Sequence, residues 1–246
     1  MKNSILEIEE NRQIAPGVYR AVLRGEGAGL HRPGQFINIA LDGFYLRRPI
    51  SVYDADPESD SLSIIYKVVG RGTGALADIR PGAGLDCLLG LGNGFDLSAA
   101  GSFNAVIGGG VGVPPMYFTA KCLANAGKKV CAVIGFNKKN EIICREDFES
   151  LGIETLVCTG DGSYGIRGFV TDGLTELQDP DYYYACGPEP MLKAVWNTLD
   201  CDGELSFEER MGCGFGACMG CTCKTKYKDK RICKDGPVLK KGEIVW

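Results

Sequence analysis

The chain has 246 residues, 45% apolar and 24% charged, with a net charge of −4 and a sequence pI of about 5.2. This is an ordinary globular composition in a chain longer than one average domain. It offers no basic field for a nucleic-acid backbone or an anionic lipid surface, so the expected partners are small molecules and another protein.

The first ten residues lack the uninterrupted apolar core of a secretion signal, and no later stretch reaches the length of a membrane helix. Both predict a cytoplasmic protein with no membrane partner. A chain this long can bury a sizeable core without staples, so its twelve cysteines point to metal rather than to a disulfide scaffold. Cys87, Cys122, Cys131, Cys144, Cys158 and Cys201 fall mostly in apolar segments and read as packing thiols.

Over residues 1–98 short alternating runs predict strands at 5–10, 18–23, 35–41, 50–53, 62–69 and 85–89. Many short strands at close spacing indicate an antiparallel β-barrel, with one helix over 73–79 stopped by Pro81-Gly82. His31, in Gly29-Leu-His-Arg-Pro33, reads as a solvated loop residue. Small, turn-forming residues at 92–102 mark a boundary. Beyond it strands at 104–107, 129–135, 154–159 and 182–185 alternate with helices at 114–126, 146–151, 170–177 and 190–199, which predicts a Rossmann-like parallel sheet covered by helices. One more strand, at 204–207, precedes a cysteine-rich tail. The expected divisions are thus a barrel over 1–98, an α/β domain over 102–205 and a small loop domain over 206–246.

The strongest chemical signal lies in that tail. Cys213-x4-Cys218-x2-Cys221-x11-Cys233 has the plant-type spacing of a 2Fe-2S centre in its first three cysteines, and a fourth thiol completes the set. Gly212, Gly214, Gly216 and Gly220 suit a loop whose amides turn inward on a dianionic cluster. Structural zinc is the alternative, although it more often uses two short Cys-x2-Cys knuckles. Cys223 is a competing fourth ligand. A Rieske centre needs two histidines, and the chain has one.

The second signal is Arg47-Arg-Pro-Ile-Ser51 with Ile65-Tyr-Lys67 and Gly70-Arg-Gly-Thr-Gly74. Arg48, Ser51, Gly72 and Thr73 suit a pyrophosphate, but a surface turn and a helix cap account for them better when they are taken alone. The third is Gly108-Gly-Gly-Val-Gly-Val-Pro114 between a strand and a helix. With Cys158-Thr-Gly-Asp-Gly-Ser-Tyr-Gly165 and Cys186-Gly-Pro188 it puts three glycine turns at the carboxyl ends of parallel strands, a nucleotide-binding crevice. There Asp161 suits ribose hydroxyls and so NAD, while Lys138 and Lys139 leave NADP open.

In this order the motifs resemble the ferredoxin reductase superfamily, whose barrel holds FAD and whose second domain holds a pyridine nucleotide. With the C-terminal cysteine loop, the whole chain is similar to the electron-transfer subunit of NAD-dependent type B dihydroorotate dehydrogenase. The resemblance implies FAD contacts from Arg48, Pro49, Ile50, Ser51, Ile65, Tyr66, Lys67, Gly72 and Thr73, and cluster ligation by Cys213, Cys218, Cys221 and Cys233. It puts exchangeable NAD against Gly109, Gly110 and Gly112, with Cys186 near the nicotinamide, where a buried packing thiol is the other reading. Ile50 stands where many reductases carry a tyrosine against the flavin, so ring stacking must come from elsewhere.

Nicotinamide delivers electrons in pairs and the cluster accepts them singly, so a flavin must stand between them. The implied partner is an FMN-binding catalytic subunit that oxidises dihydroorotate, in a heterotetramer of two plus two. The rivals are the flavin and iron-sulfur subunit of a ferredoxin-NADP transhydrogenase or a sulfide-type reductase, and a non-enzymatic nucleotide-binding protein with structural zinc.

Overall fold

The computed structural model describes residues 1–246. Strands β1 (Lys2–Ala15), β2 (Val18–Arg24), β3 (Phe36–Ile39), β4 (Arg48–Asp56), β5 (Ser61–Lys67) and β6 (Gly84–Leu91) close an antiparallel barrel in the order β1-β2-β5-β4-β3-β6. Alternation drives closure. In β6, Leu85, Cys87, Leu89 and Leu91 are buried while the residues between them are not, so one face fills the barrel and the other meets its surroundings. Helix α1 (Arg71–Ala77) joins β5 to β6, and Asn11 of β1 holds its end by donating to the carbonyls of Leu76 and Ile79 at 2.9 and 3.0 Å.

The second layer contains β7 (Phe103–Gly109), α2 (Val113–Asn125), β8 (Lys129–Phe136), α3 (Arg145–Ser150), β9 (Glu154–Thr159), β10 (Ile166–Arg167), α4 (Val170–Leu174), β11 (Tyr182–Cys186), α5 (Glu189–Thr198) and β12 (Asp202–Ser206). The sheet order is β10-β9-β8-β7-β11-β12, all parallel. All five residues of β11 are buried, as expected of a strand covered on both faces. Helix α2 starts with Pro114 and Pro115 in its first turn, where no N–H is missed. It packs on β7 and β8 and also on β4 of the barrel, where Lys121 donates to Asp54 at 2.7 Å.

The tail contains β13 (Thr222–Cys223), β14 (Lys230–Arg231), α6 (Ile232–Asp235) and β15 (Val238–Lys240). Strand β15 lies antiparallel beside β12 and completes a seven-stranded sheet. The cysteine loop is therefore anchored at both ends, to β12 before it and β15 after it. The same tail touches the barrel, since the Asn93 side chain donates to the Val238 carbonyl at 2.8 Å and the Val238 N–H donates back to Asn93 at 3.1 Å.

His31 is not solvated. It is 8% exposed, with Nδ1 2.8 Å from the Ala28 carbonyl and Nε2 accepting from Gly90 N–H at 3.1 Å. The glycines and proline around it suggested an open loop, but they form a tight turn folded onto β6.

Candidate functional site: a flavin strand, a glycine turn and a cysteine loop

Pairing of β4 with β5 sets Val52 opposite Ile64, so Arg48–Ser51 and Ile65–Lys67 run side by side in opposite directions. Arg48 lies over the Phe44 ring at 4.9 Å, and Arg71 faces the same ring at 5.9 Å. A Cβ on Gly72 would stand 2.0 Å from the Arg48 Nε, so the absent side chain is what admits the guanidinium at the start of α1. The Thr73 hydroxyl accepts from the N–H groups of Val69 and Gly70 at 2.9 and 3.3 Å, which commits it to shaping this turn. Pro49 and Ser51 are half-buried, and Lys67 is exposed.

Tyr66 differs from the rest of its triplet. Its ring is 2% exposed, belongs to the barrel core and donates its hydroxyl to Asn11 at 2.8 Å, so only its backbone faces the motif. Ile65, one residue back, points the other way into the apolar cluster between barrel and sheet. Ile50 packs against the barrel-core cluster.

The second motif forms the tight turn from β7 into α2. A Cβ on Gly112 would meet the Cys186 carbonyl oxygen at 2.3 Å, one on Gly109 would meet the Met191 sulfur at 2.4 Å, and at Gly110 the space is open. Gly110 also has φ +54, a conformation suited to glycine. The turn abuts β5, which brings the nucleotide and flavin motifs together. Cys186 is 4% exposed, and burial pushes its thiol up to about 12. Asp161 is exposed and accepts from Ser163 N–H at 2.9 Å.

The four tail cysteines form two pairs. The Ala217 and Cys218 N–H groups donate to the Cys213 sulfur at 3.2 and 3.4 Å, and Cys213 N–H donates to the Cys218 sulfur at 3.5 Å. Cys221 and Cys233 have sulfurs 3.2 Å apart, with Cys233 N–H 3.4 Å from the Cys221 sulfur. Burial opposes ionisation of Cys213, but amide donors from Cys218, Phe215 and Ala217 outweigh it and bring the thiol down to about 6. Burial and neighbouring Cys221 push Cys233 up to about 12. Inward amides and crowded thiols fit a cluster that binds thiolates and takes up their charge. Cys223 packs against the apolar cluster that includes Leu239 and Ile244, and burial raises its thiol.

Two residues that the sequence reading did not single out join these parts. Phe36 lies opposite Ser51 in the β3–β4 ladder and shares a buried apolar cluster with Cys221 and Cys233. Asn38 lies opposite Pro49, is 1% exposed, and donates weakly to the Cys213 carbonyl at 3.4 Å. Its Oδ1 is buried without a partner. A lone polar residue within Phe36-Ile-Asn-Ile39 was the available signal, because a buried amide in an apolar strand needs a specific neighbour.

A family model described as the iron-sulfur cluster binding domain of dihydroorotate dehydrogenase B matches residues 208–245. A second, the oxidoreductase NAD-binding domain, matches residues 106–197. Dihydroorotate dehydrogenase B (NAD(+)), electron transfer subunit, of Fusobacterium nucleatum is 44% identical, covering 99% of this chain and 99% of the relative. The protein of that name from Geobacillus sp. strain WCH70 is 41% identical, covering 100% of this chain and 99% of its own. Among solved structures, an NADH-dependent reduced ferredoxin-NADP oxidoreductase studied for flavin-based electron bifurcation superposes with a TM-score of 0.89 at 30% identity, covering 99% of this chain and 90% of that one. A ferredoxin NADP+ reductase from Neisseria gonorrhoeae shares the fold, with a TM-score of 0.70 at 16% identity over 80% of this chain and 90% of that one. Full-length likeness at this level, with both the sheet domain and the cysteine loop matched, means that the chain belongs to the family of dihydroorotate dehydrogenase B (NAD(+)) electron transfer subunits.

Proposed function

We propose that this chain carries electrons between NAD and a catalytic dihydroorotate dehydrogenase subunit, and that the partner holds FMN and assembles with it as a heterotetramer of two plus two in the cytoplasm. When bound, FAD exchanges electrons with nicotinamide in pairs and with a 2Fe-2S cluster singly. The residues of this chain bind, orient and insulate. Arg48 and the Gly72 turn would hold the flavin pyrophosphate, with Thr73 fixing the shape of that turn. Pro49, Ile50, Ser51, Ile65, Tyr66 and Lys67 would line the ring along two adjacent strands, Tyr66 through its backbone. Gly109, Gly110 and Gly112 would admit the NAD diphosphate to the backbone, with Asp161 toward a ribose. Cys186, whose thiol stays protonated with a value of about 12, would act as an apolar wall beside the nicotinamide. Cys213, Cys218, Cys221 and Cys233 would hold the cluster through their thiolates.

One observation carries this reading: Phe36, opposite Ser51 of the flavin strand, shares its buried cluster with two of the cluster cysteines. The flavin strand and the cysteine loop thus pack on one common apolar cluster. The test mixes the purified subunit with a candidate FMN partner and follows dihydroorotate-dependent NAD reduction. Reduction by the mixture and by neither part alone is expected.

The 0.89 TM-score to the NADH-dependent ferredoxin-NADP oxidoreductase favours a second reading, a subunit of a ferredoxin-NADP transhydrogenase. Activity with reduced ferredoxin and none with dihydroorotate would select it.

A further inference from the structure

Asn38 stands where a polar side chain is poorly served. It lies in β3 between Ile37 and Ile39, which fill the barrel core, so strand alternation turns its side chain outward with that of Phe36. Across the two ladders its neighbours are Pro49 of the flavin strand and Leu88 of β6. This outer face is nonetheless covered, because the cysteine loop touches it, and Asn38 is 1% exposed. Its Nδ2 donates to the Cys213 carbonyl at 3.4 Å, and its Oδ1 is buried without a partner. An unsatisfied buried amide oxygen destabilises a fold, and a leucine of nearly the same size would not. Stability therefore does not account for the amide, so its use must lie in the one group that its side chain holds.

That group fixes which way the loop faces. A Cβ on Gly214 would stand 2.2 Å from the Asn38 Nδ2, so only glycine lets the loop settle on the amide, and its φ of +77 suits glycine too. In a trans peptide the carbonyl and the following N–H point opposite ways. Holding the Cys213 carbonyl on Asn38 therefore sends the Gly214 N–H away from the barrel. Further along the loop Arg231 takes the Gly216 carbonyl at 2.9 Å. Beyond this second peg the N–H groups of Ala217 and Cys218 turn back to the Cys213 sulfur at 3.2 and 3.4 Å. Carbonyls held outward and amides turned inward make an anion-binding concavity. The electron that reaches the loop leaves the reduced flavin and adds one negative charge to the cluster, with no bond formed or broken. Amide donors aimed at the sulfurs favour that added charge and so raise the reduction potential. We propose that Asn38 is a positioning residue for this transfer: by holding the Cys213 carbonyl on the barrel, it keeps the loop amides on the cluster sulfurs and sets the cluster potential. This rests on the electron-carrier reading above and adds to it that the barrel, and not the tail alone, tunes the cluster.

An EPR-monitored dithionite titration of the holoprotein tests this and needs neither NAD nor a partner. In Asn38→Leu the cluster midpoint is expected to fall by about 59 mV, which for one electron is about a tenfold shift in the ratio of reduced to oxidised cluster. The g values of the reduced cluster should move with it. FAD and iron content and the flavin midpoint should match wild type, and resistance to urea should be unchanged or raised, since the orphaned oxygen is gone. Asn38→Gln, which keeps an amide donor on a longer arm, should recover part of the potential. A wild-type potential and EPR line shape in Asn38→Leu would overturn the proposal. Lowered iron content or stability with the remaining clusters at wild-type potential would overturn it too, because Asn38 would then be a packing residue. If Asn38→Leu takes up no iron, Asn38→Ser, whose hydroxyl is too short to reach the carbonyl, is judged by the same two outcomes. A wild-type cluster that dithionite reduces and NADH does not would sink the electron-carrier reading, and the potential of Asn38→Leu would still decide the role of Asn38.

Discussion

A methyl group at Gly72 and one at Gly112 would meet different kinds of obstacle. At Gly72 the obstacle is the Arg48 Nε at 2.0 Å, the far end of a flexible side chain that can swing away. Alanine also suits a helix better than glycine by about 1 kcal/mol. Gly72→Ala is therefore expected to leave apoprotein thermal stability unchanged or raised while FAD retention through gel filtration falls about tenfold, the factor for losing one charge-assisted hydrogen bond. At Gly112 the obstacle is the Cys186 backbone, with its carbonyl oxygen at 2.3 Å, which cannot move without bending β11. Gly112→Ala should cost about 1–3 kcal/mol by urea unfolding. His31 adds a pH dependence. Burial lowers its pKa below 6.5, with the Ala28 carbonyl opposing, so folding favours the neutral ring that accepts from Gly90. Its contribution is complete above pH 6.5 and is lost as pH falls through the lower folded value. Relative to wild type, His31→Gln should be less stable by about 1–2 kcal/mol at pH 8, with the gap narrowing at pH 5.

The tail is held as a unit by short elements. Arg231 of β14 donates to the Gly216 carbonyl at 2.9 Å and to Asp235 at 2.9 Å, bracing the cysteine loop against α6, which carries Cys233. Cys223, on β13, packs into apolar surroundings instead. Cys223→Ala is thus expected to keep full visible absorbance and the reduced-cluster EPR signal, and Cys233→Ala to abolish that signal while keeping flavin absorbance. The reverse outcome would move the fourth ligand to Cys223. These elements were the least legible in the sequence. Strands β13, β14 and β10 have two residues each and α6 has four, too few to show a period. Long-range pairing also carried β1 past the expected 5–10 to Lys2–Ala15, since its polar end matches β2 from Asn11↔Ala21 to Ala15↔Val18. By contrast, α2 and β9 lie within one residue of their expected bounds, because apolar runs between glycines and prolines mark both ends. For the site, spacing alone suggested the cysteine set. The inward turn of Tyr66 and the bridging place of Asn38 depend on which face of a strand is covered, which no motif states.

Across the whole molecule the three motifs form a series, from the glycine turn against β5, through the β4 strand, to the cysteine loop beyond β3. The far end of that series is the end that must meet a partner. There Phe215 and Met219 are 41% and 57% exposed, on the loop between Cys213 and Cys221, in a chain whose large apolar residues are mostly buried. Exposed apolar side chains beside the last carrier suit a docking face, since anchors at the centre of an interface carry most of its energy. Phe215 supports Cys213 through its backbone N–H, so changing its side chain leaves that donor in place. Phe215→Asp is accordingly expected to weaken association with the catalytic partner subunit by about 2 kcal/mol, roughly thirtyfold in Kd. NADH reduction of the subunit's own flavin and the cluster EPR signal should stay at wild-type values. Sedimentation of the mixture against concentration gives the first quantity, and flavin bleaching gives the second. Unchanged association would place the docking face elsewhere, whereas loss of the EPR signal would mean that the ring supports the cluster loop rather than the partner.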